Sequence, residues 1–494
     1  MEMKGYEHMK AMKKLASLLL ALVMALALAV PAFAVDSTTI TAPANNRTYK
    51  IYQIFTGDLS EKDGAKVLSN VKWGQNGTGT AGAVVDQTIL DELKTVNDKS
   101  NTEKLDVIKK YVNLDSTEFG TVTNGQPLTV PTGYYLIRDV GPVGDSEAYS
   151  LFIVEVVGPT TIGPKTDAPK SEKKVKDVND SNGTTTDWQD SADYDIGDDV
   201  PFQLKATLPA HYADYKVYKL TFHDKQSEGL TFNANSVKVY VDGNEITTGY
   251  EVKTTGLSDD CTFEVVFADL KQIEAVKAGS EITVEYTAKL NDNAKTGTTG
   301  NSNSMHITYS NNPNDEQGGE GGKTPEDITI VFTYQLIVDK TDGNNPLTGA
   351  GFTLYKKNSN GDYIAVGTEI KGGDITKFTW SGLDDGDYKL VETTTPTGYN
   401  TMEAIFFTIT AEHNGTGTDP KLTSLSGNVD GNKLTFTSDV SKGSLSTTVI
   451  NKAGSTLPST GGIGTTIFYV VGSVLVIGAA VVLITRKRMG KSDK

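Results

Sequence analysis

The chain has 494 residues, a formal net charge of −16 and a single cysteine, Cys261. The acidic charge argues against nucleic acids and anionic membrane surfaces as partners, and one cysteine excludes a disulfide within the chain. The five histidines form no Cys/His cluster in the sequence, so we expect no structural zinc, no other metal site and no cofactor.

Residues 1–34 have the organisation of a secretory signal peptide. Four lysines within the first 14 residues precede an apolar run from 15 to 30, and Ala32-Phe33-Ala34 then supplies a small-x-small cleavage pattern. We therefore expect an exported chain whose mature form begins at Val35.

Residues 35–162 are expected to form an N-terminal domain, a β-sandwich with helical excursions. Residues 50–55 alternate between apolar and polar types as in a strand, and two further strands are predicted at 131–137 and 149–157. Between them, residues 87–114 carry apolar side chains at helical spacing.

A second domain is expected over residues 163–325. It follows Gly163-Pro164-Lys165, a Pro-containing polar stretch typical of a domain boundary. Short alternating strands separated by turn signals predict an antiparallel sandwich. The predicted strands are 202–208, 217–222, 236–241, 262–267, 281–290 and 305–309. The Gly- and Asn-rich segment 311–324 is interpreted as a loop or hinge.

A third domain is expected over residues 326–453, again all-β. Its predicted strands are 334–340, 351–357, 377–380, 386–392, 404–410 and 445–451. The fold class predicted for the mature chain is therefore all-β, a tandem array of immunoglobulin-like β-sandwiches.

Residues 454–494 contain a candidate membrane anchor. The run from 463 to 484 carries no charged side chain, and it is long enough for a helix to cross a bilayer. Arg486-Lys487-Arg488 follow directly, so the positive-inside rule places the C-terminus in the cytoplasm and the upstream chain outside.

Enzymatic function is not expected. The sequence offers no recognisable set of nucleophile, base and orienting group, and the histidines 211, 223, 306 and 413 stand in no catalytic context. The glycine-rich stretch 318–322 lacks the strand, lysine and helix that surround a phosphate-binding loop.

The tail resembles the sorting signal of Gram-positive cell-wall proteins. Leu457-Pro458-Ser459-Thr460-Gly461 precede the apolar span and the basic residues in the order of that family. The resemblance implies that a sortase cysteine attacks the Thr460–Gly461 bond. Thr460 then becomes the acyl donor, Gly461 onward is discarded, and membrane residence is temporary.

The third domain resembles the Cna B-type domain of Gram-positive surface proteins. It contains Val338-Asp339-Lys340, an E-box-like segment over 388–399 and Val449-Ile450-Asn451. The resemblance implies an autocatalytic isopeptide bond between nucleophile Lys340 and Asn451, which loses ammonia, with Glu392 as catalyst. Burial favours this chemistry because it lowers the pKa of a lysine and raises that of a carboxyl group.

The second domain is similar to the D2-type isopeptide-forming domain of fimbrial subunits. Glu172-Lys173-Lys174-Val175 open it, Phe222-His223-Asp224 lie within it and Asn303 lies near its end. The resemblance implies a bond between Lys173 and Asn303 with Asp224 as catalyst. Lys174 and Asn301 are alternatives. Only one of two neighbouring lysines on a strand can face the core, and Lys173 shares its face with Val175.

Taken together, the chain resembles the major shaft subunit of a sortase-assembled pilus. Such subunits carry a Pro-Lys motif before the second domain, which implies Lys165 as the acceptor of Thr460 from the next subunit. The aromatic residue that commonly precedes this proline is absent, and Lys170 is the alternative. The implied partners are sortase, identical subunits and peptidoglycan, with minor pilins and host ligands left open, and the implied location is the cell surface. The rival interpretation is a monomeric wall-anchored adhesin.

Overall fold

The computed structural model describes residues 37–62, 64–96, 98–165, 167–417, 419–429, 434–454 and 463–489. The predicted signal peptide and the motif from Leu457 to Gly461 lie outside the described residues. Strands account for 47% of residues and helices are few, which confirms the predicted all-β class.

The first part of the chain forms two sheets. Its strands are β1 (Ser37–Thr41), β2 (Thr48–Lys62), β3 (Ala65–Trp73), β4 (Gly120–Thr123), β5 (Pro127–Pro131), β6 (Gly133–Gly141), β7 (Leu151–Val156) and β8 (Thr160–Thr161). One sheet has the order β5-β1-β8 and the other β3-β2-β6-β7, with β4 paired to β2. Their buried apolar side chains form two clusters, one of which also includes the helices.

The helical pattern over 87–114 divides into two helices, α1 (Gln87–Lys94) and α2 (Asn101–Ile108). The break has a local cause. Ser100 caps α2 through a capping box, in which its side chain accepts from the Glu103 backbone and Glu103 accepts in return from the Ser100 backbone. Leu93 and Leu105 bury the inner faces of the helices against the sheet.

The second part is a two-sheet sandwich. Its strands are β9 (Lys170–Val175), β10 (Val178–Asn179), β11 (Thr184–Thr185), β12 (Ser191–Asp193), β13 (Asp199–Thr207), β14 (Leu220–Gln226), β15 (Leu230–Val241), β16 (Asn244–Ile246), β17 (Glu251–Lys253), β18 (Phe263–Phe267), β19 (Glu281–Leu290), β20 (Asn301–Ser310), β21 (Glu320–Lys323) and β22 (Asp327–Phe332). The sheets run β16-β15-β19-β13-β9 and β12-β22-β20-β14-β18-β17, with β21 beside β20. Alternate residues of β13 and β19 are buried, as the sequence alternation predicts.

The third part is a smaller sandwich. Its strands are β23 (Tyr334–Thr341), β24 (Gly351–Lys357), β25 (Tyr363–Ala365), β26 (Ile370–Lys371), β27 (Lys377–Leu383), β28 (Gly386–Thr394), β29 (Ile405–His413), β30 (Leu422–Val429), β31 (Thr437–Asp439) and β32 (Ser444–Ile450). One sheet has the order β27-β23-β32-β31 and the other β25-β24-β28-β29-β30, with β26 beside β24. The first and last strands, β23 and β32, lie side by side and parallel.

The segment 311–324 differs from the predicted loop or hinge. It contains β21, and it contacts the first part of the chain, where the Tyr149 backbone N–H donates to the Asn311 carbonyl at 2.7 Å. A side chain at Gly322 would collide with the Tyr309 ring, since an added Cβ would lie 2.3 Å from it. Glycine therefore permits close packing here, although its abundance suggested a flexible link.

The C-terminal apolar run forms helix α3 (Ile463–Met489). Residues 467–487 have a mean hydropathy of 2.8, which together with their length allows a membrane crossing. The described chain therefore ends in the membrane-span candidate that the sequence predicted.

Candidate functional site

A buried lysine lies between the two sheets of the second part. Lys173 is on the edge strand β9, and none of its surface is exposed. Its ammonium lies over the rings of Phe202 and Tyr286, 5.3 and 5.5 Å from their centroids. The alternation of β9 positions this side chain, because Val175 shares the buried face while Lys174 points outward.

Asp224 and a tyrosine complete the surroundings of this amine. Lys173 Nζ pairs with Asp224 Oδ2, and it lies 3.1 Å from the Tyr286 hydroxyl. That hydroxyl donates to Asp224 Oδ2 at 2.8 Å. Asp224 comes from β14 in the opposite sheet, so the ion pair spans the sandwich.

Asn303 contacts the same tyrosine. It lies on β20 with none of its surface exposed, and its Nδ2 donates to the Tyr286 hydroxyl at 2.8 Å. Its Oδ1 is buried with no hydrogen-bond partner among the described residues. The structure thus brings Lys173, Asp224 and Asn303 together around Tyr286, which sequence reasoning missed. The alternation of β19 marks Tyr286 as an inward side chain, but nothing distinguishes it from other core aromatics.

Burial changes the proton affinities of this pair in opposite directions. It lowers the pKa of Lys173, although the Asp224 charge opposes the change. It also raises the pKa of Asp224, against the charge and hydrogen bond of Lys173. Both changes favour the state in which the amine is neutral and the carboxyl group is protonated.

The two alternative residues have other contacts. Lys174 retains 22% side-chain exposure and pairs with Asp190. Asn301 is buried, but its Oδ1 accepts from the Lys295 backbone at 2.9 Å and its Nδ2 donates to the Val331 carbonyl at 3.1 Å. Both are therefore engaged away from the Lys173 cluster.

The third part contains a corresponding set of residues. Lys340 on β23 is 1% exposed, Asn451 directly after β32 is 1% exposed, and Glu392 on β28 is 4% exposed. Asn451 Nδ2 donates to Glu392 Oε1 at 2.6 Å, and the Met402 backbone donates to Glu392 Oε2 at 2.7 Å. Asn451 Oδ1 has no partner among the described residues.

Parallel pairing brings Lys340 to Asn451. Lys340 is in register with Val449, and the Asn451 backbone donates to the Thr341 carbonyl at 3.1 Å. Burial lowers the pKa of Lys340, although the Glu392 charge opposes this change. Lys340 Nζ contacts the Thr341 carbonyl at 3.3 Å.

Lys165 lies where the first and second parts meet. Its backbone is held by Ser150, whose hydroxyl accepts from the Lys165 N–H at 2.9 Å and donates to its carbonyl at 3.3 Å. The side chain remains 44% exposed, and Nζ lies 3.1 Å from Asp214 Oδ2. Lys170, the alternative, is exposed at the start of β9. Thr460 lies outside the described residues.

A further charged cluster, which no pattern along the chain indicates, joins the second and third parts. Lys356 on β24 contacts Asp195 at 2.5 Å, Asp384 at 3.1 Å and Asp180 at 3.3 Å. Asp384 is fully buried. Burial by itself lowers the pKa of Lys356, but the surrounding carboxylates outweigh that effect and raise it above its usual value.

Three family models match the chain. A model of the Gram-positive pilin backbone subunit 2, Cna-B-like domain, matches residues 196–313. A prealbumin-like fold domain matches 334–421, and the LPXTG cell wall anchor motif matches 450–489.

One curated relative and two solved structures give the wider context. The trypsin-resistant surface T6 protein of Streptococcus pyogenes serotype M6 is 26% identical over 407 residues, which cover 67% of this chain and 71% of that protein. The structure of the T6 backbone pilin of serotype M6 S. pyogenes, described as modular and three-domain, matches with a TM-score of 0.50 at 19% identity, over 85% of this chain and 99% of that one. The structure of the full-length major pilin SpaD from Corynebacterium diphtheriae matches with a TM-score of 0.46 at 18% identity, over 85% of this chain and 97% of that one.

The T6 backbone pilin structure supports the fold, and the family models and the T6 relative support the class of protein. The C-terminal apolar helix lies within the segment that the anchor model covers. The chain is therefore a cell-wall-anchored backbone pilin of the Gram-positive type.

Proposed function

We propose that this chain is the shaft subunit of a covalent pilus that a sortase polymerises, joining Thr460 of one copy to Lys165 of the next. The observation that carries the proposal is the setting of Lys165. Its backbone is fixed by two hydrogen bonds to Ser150 while its side chain is 44% exposed. A lysine held in this way can present its amine to a large enzyme without local unfolding.

The transfer step places a specific demand on Lys165. Its amine must be neutral when it attacks the thioester carbonyl that links Thr460 to the sortase cysteine. The new C–N bond forms as the C–S bond breaks, and the amine proton must leave. Asp214 Oδ2, 3.1 Å from Nζ and largely buried, is in position to accept that proton. Each linkage is head-to-tail and leaves a free donor and a free acceptor at the ends, so the assembly extends as a filament.

Within each subunit, we propose two isopeptide bonds, Lys173 to Asn303 and Lys340 to Asn451. In each reaction the neutral lysine amine attacks Cγ of the asparagine, a C–N bond forms, the C–NH2 bond breaks and ammonia leaves. Asp224 and Glu392 would donate a proton to the amide oxygen and return protons to the leaving nitrogen. A half-turn of the asparagine amide would bring the unpartnered Oδ1 into the contact now made by Nδ2.

The proposed bonds would have a mechanical role. The Lys173–Asn303 bond would join the edge strand β9 to β20 in the opposite sheet, and the Lys340–Asn451 bond would join the first and last strands of the third part. A pulling force applied to one of the two joined strands would pass to the other through the covalent bond. The hydrogen-bonded strands between the two would then bear little of the force. This would offset the absence of disulfides in a chain with one cysteine.

The test of polymerisation is Lys165→Ala in cells that express the sortase, with Lys170→Ala as the matched control. We expect the ladder of high-mass species on a denaturing gel to disappear for Lys165→Ala and to persist for Lys170→Ala, while a wall-linked monomer remains in both. A ladder that survives Lys165→Ala would refute the acceptor assignment. Wild-type chains found only as wall-linked monomers would favour the adhesin alternative.

A further inference from the structure

We propose a zinc-binding site on the side of the second sandwich opposite to Asp224, formed by His223, Asp259, Cys261 and Glu264. His223 and Asp224 are neighbours on β14, so their side chains point to opposite faces of the sheet. Glu264 lies opposite His223 on the paired strand β18, and Asp259 and Cys261 come from the loop before that strand. The four residues offer one imidazole nitrogen, one sulfur and two carboxylate oxygens.

These donor atoms converge on one point. One potential ligand atom from each of the four residues lies within 4.8 Å of the others. His223 Nδ1 is 3.2 Å from Asp259 Oδ2 and 3.6 Å from Glu264 Oε1. The distance from a tetrahedral zinc ion to each ligand atom is about 2.0–2.3 Å. Small side-chain movements would therefore allow all four residues to bind one ion.

The His223 ring provides an independent indication of a ligand. Only 4% of this residue is exposed, and its Nδ1 has no hydrogen-bond partner among the described residues although it faces two carboxylates. The other ring nitrogen, Nε2, is 2.9 Å from the Thr308 hydroxyl. When Nε2–H donates to Thr308, the Nδ1 lone pair points at the carboxylates, an arrangement that a bound cation would stabilise. Metal-binding histidines are commonly oriented through the second nitrogen in this way.

A second imidazole adjoins the site. His306, paired with His223 across β14 and β20, stacks on it with ring centroids 4.6 Å apart and planes 6° apart. Its Nε2 lies 3.5 Å from Asp259 Oδ2. The second ring therefore covers one face of His223 and contacts one of the proposed ligands.

The donor set selects the type of metal. Calcium and magnesium bind oxygen ligands, whereas a thiolate and an imidazole favour zinc among the metals common outside cells. The half-buried Cys261 would lose its proton when the Zn–S bond forms, and that proton passes to solvent, so zinc affinity should rise with pH. A bound ion would hold the loop between β17 and β18 against β14, directly behind Asp224.

The test uses the full chain purified from cells and titrated with Zn2+ or with Co2+ as a spectroscopic substitute. We expect one Zn2+ per subunit and, with Co2+, a thiolate-to-metal charge-transfer band that is absent in Cys261→Ser. Asp259→Asn should weaken Zn2+ binding by at least 10-fold. Its matched control is Asp260→Asn, which alters the adjacent exposed carboxylate that pairs with Lys225 and should bind like the wild type.

Several outcomes would overturn the proposal: no stoichiometric Zn2+ binding, a cobalt spectrum unchanged by Cys261→Ser, equal loss of affinity in the two aspartate variants, or a preference for Ca2+ over Zn2+. Circular dichroism of each variant separates loss of the site from loss of the fold. Protection of Cys261 from alkylation by added Zn2+, reversed by a chelator, gives a readout in the wild-type chain that needs no variant.

Discussion

Asn451 Nδ2 donates to Glu392 Oε1 at 2.6 Å, although Glu392 lies on β28 and Asn451 directly follows β32 of the opposite sheet. Lys340 reaches the same region from the strand parallel to β32. The three side chains are each at most 4% exposed, so water cannot compete for the polar atoms. A buried carboxyl group bound to an amide beside a buried amine is the arrangement that the proposed condensation requires.

The first prediction concerns the acid in this reaction. Glu392→Gln keeps the size of the side chain and one acceptor oxygen, but it removes the carboxyl group that would transfer the protons. We expect the Lys340–Asn451 bond not to form, so the intact mass of the chain should show one ammonia loss fewer than the wild type. The measurement is intact-mass spectrometry, with tryptic mapping for the cross-linked peptide.

Glu369→Gln is the matched control for this experiment. Glu369 accepts from Thr393 and Thr394 at 2.7 Å near the end of the same strand as Glu392 and pairs with Lys371. None of these contacts involves Lys340 or Asn451. The Glu369→Gln variant should show the same number of ammonia losses as the wild type. If Glu392→Gln showed as many ammonia losses as the wild type, the catalytic role proposed for Glu392 would be wrong.

The second prediction concerns Tyr286, whose hydroxyl contacts Lys173, Asp224 and Asn303. Tyr286→Phe preserves the ring packing and removes only these hydrogen bonds. A hydrogen bond to a charged group contributes about 1.5–3 kcal/mol, so its loss should slow formation of the Lys173–Asn303 bond by roughly 10- to 150-fold.

A time course of intact mass after cell-free synthesis measures this rate. Tyr363→Phe, which alters an aromatic residue of the third part, is the control and should follow the wild type. An unchanged rate in Tyr286→Phe would show that the hydroxyl orients the core without taking part in the reaction.

Sequence patterns indicated which side chains face the core where a motif lies along a strand, but they could not indicate contacts that depend on tertiary structure. Lys173 could be preferred over Lys174 because alternation assigns them to opposite faces, and the structure buries only the former. Tyr286 could not be distinguished, since an inward tyrosine resembles any other core aromatic until its hydroxyl meets three polar partners. The cluster around Lys356 joins residues of two sandwiches, and no spacing along the chain encodes that meeting.

The third prediction tests this junction. Lys356→Met removes the cation beside Asp384, which is fully buried. Breaking a buried ion pair by removing one partner typically costs about 3–5 kcal/mol. Burial already raises the pKa of Asp384, and loss of the Lys356 charge should raise it further. A raised carboxyl pKa favours the protonated native state, so the variant should recover stability as pH falls.

Urea unfolding at several pH values measures this effect, with Lys357→Met as the control. Lys357 pairs with Asp387 and is 34% exposed, so its loss should cost less than about 1 kcal/mol. Equal, pH-independent destabilisation of the two variants would contradict a special role for the Lys356 cluster.

The last prediction concerns His413 on β29, which contacts three residues of the second part. Its Nε2 lies 3.4 Å from Asp177 and 3.6 Å from Asp193, and its Nδ1 is 2.7 Å from the Ser191 hydroxyl. Burial alone would lower the pKa of His413, but its hydrogen bonds to the two carboxylates outweigh this and raise the pKa to about 9. The native state therefore binds a proton more tightly than the unfolded chain, where the pKa is about 6.5.

This proton contributes stability that is fully present below pH 6.5 and is lost as pH rises through about 9. His413→Gln should therefore lower the free energy of unfolding by roughly 3 kcal/mol near pH 6.5 and by little at pH 10, since one pKa unit corresponds to about 1.4 kcal/mol. Urea midpoints across this range give the measurement. His211→Gln is the control, because burial lowers the pKa of His211, and its effect should not shrink between pH 6.5 and 10. A constant difference between wild type and His413→Gln would mean that the imidazole contributes packing and not charge to the junction.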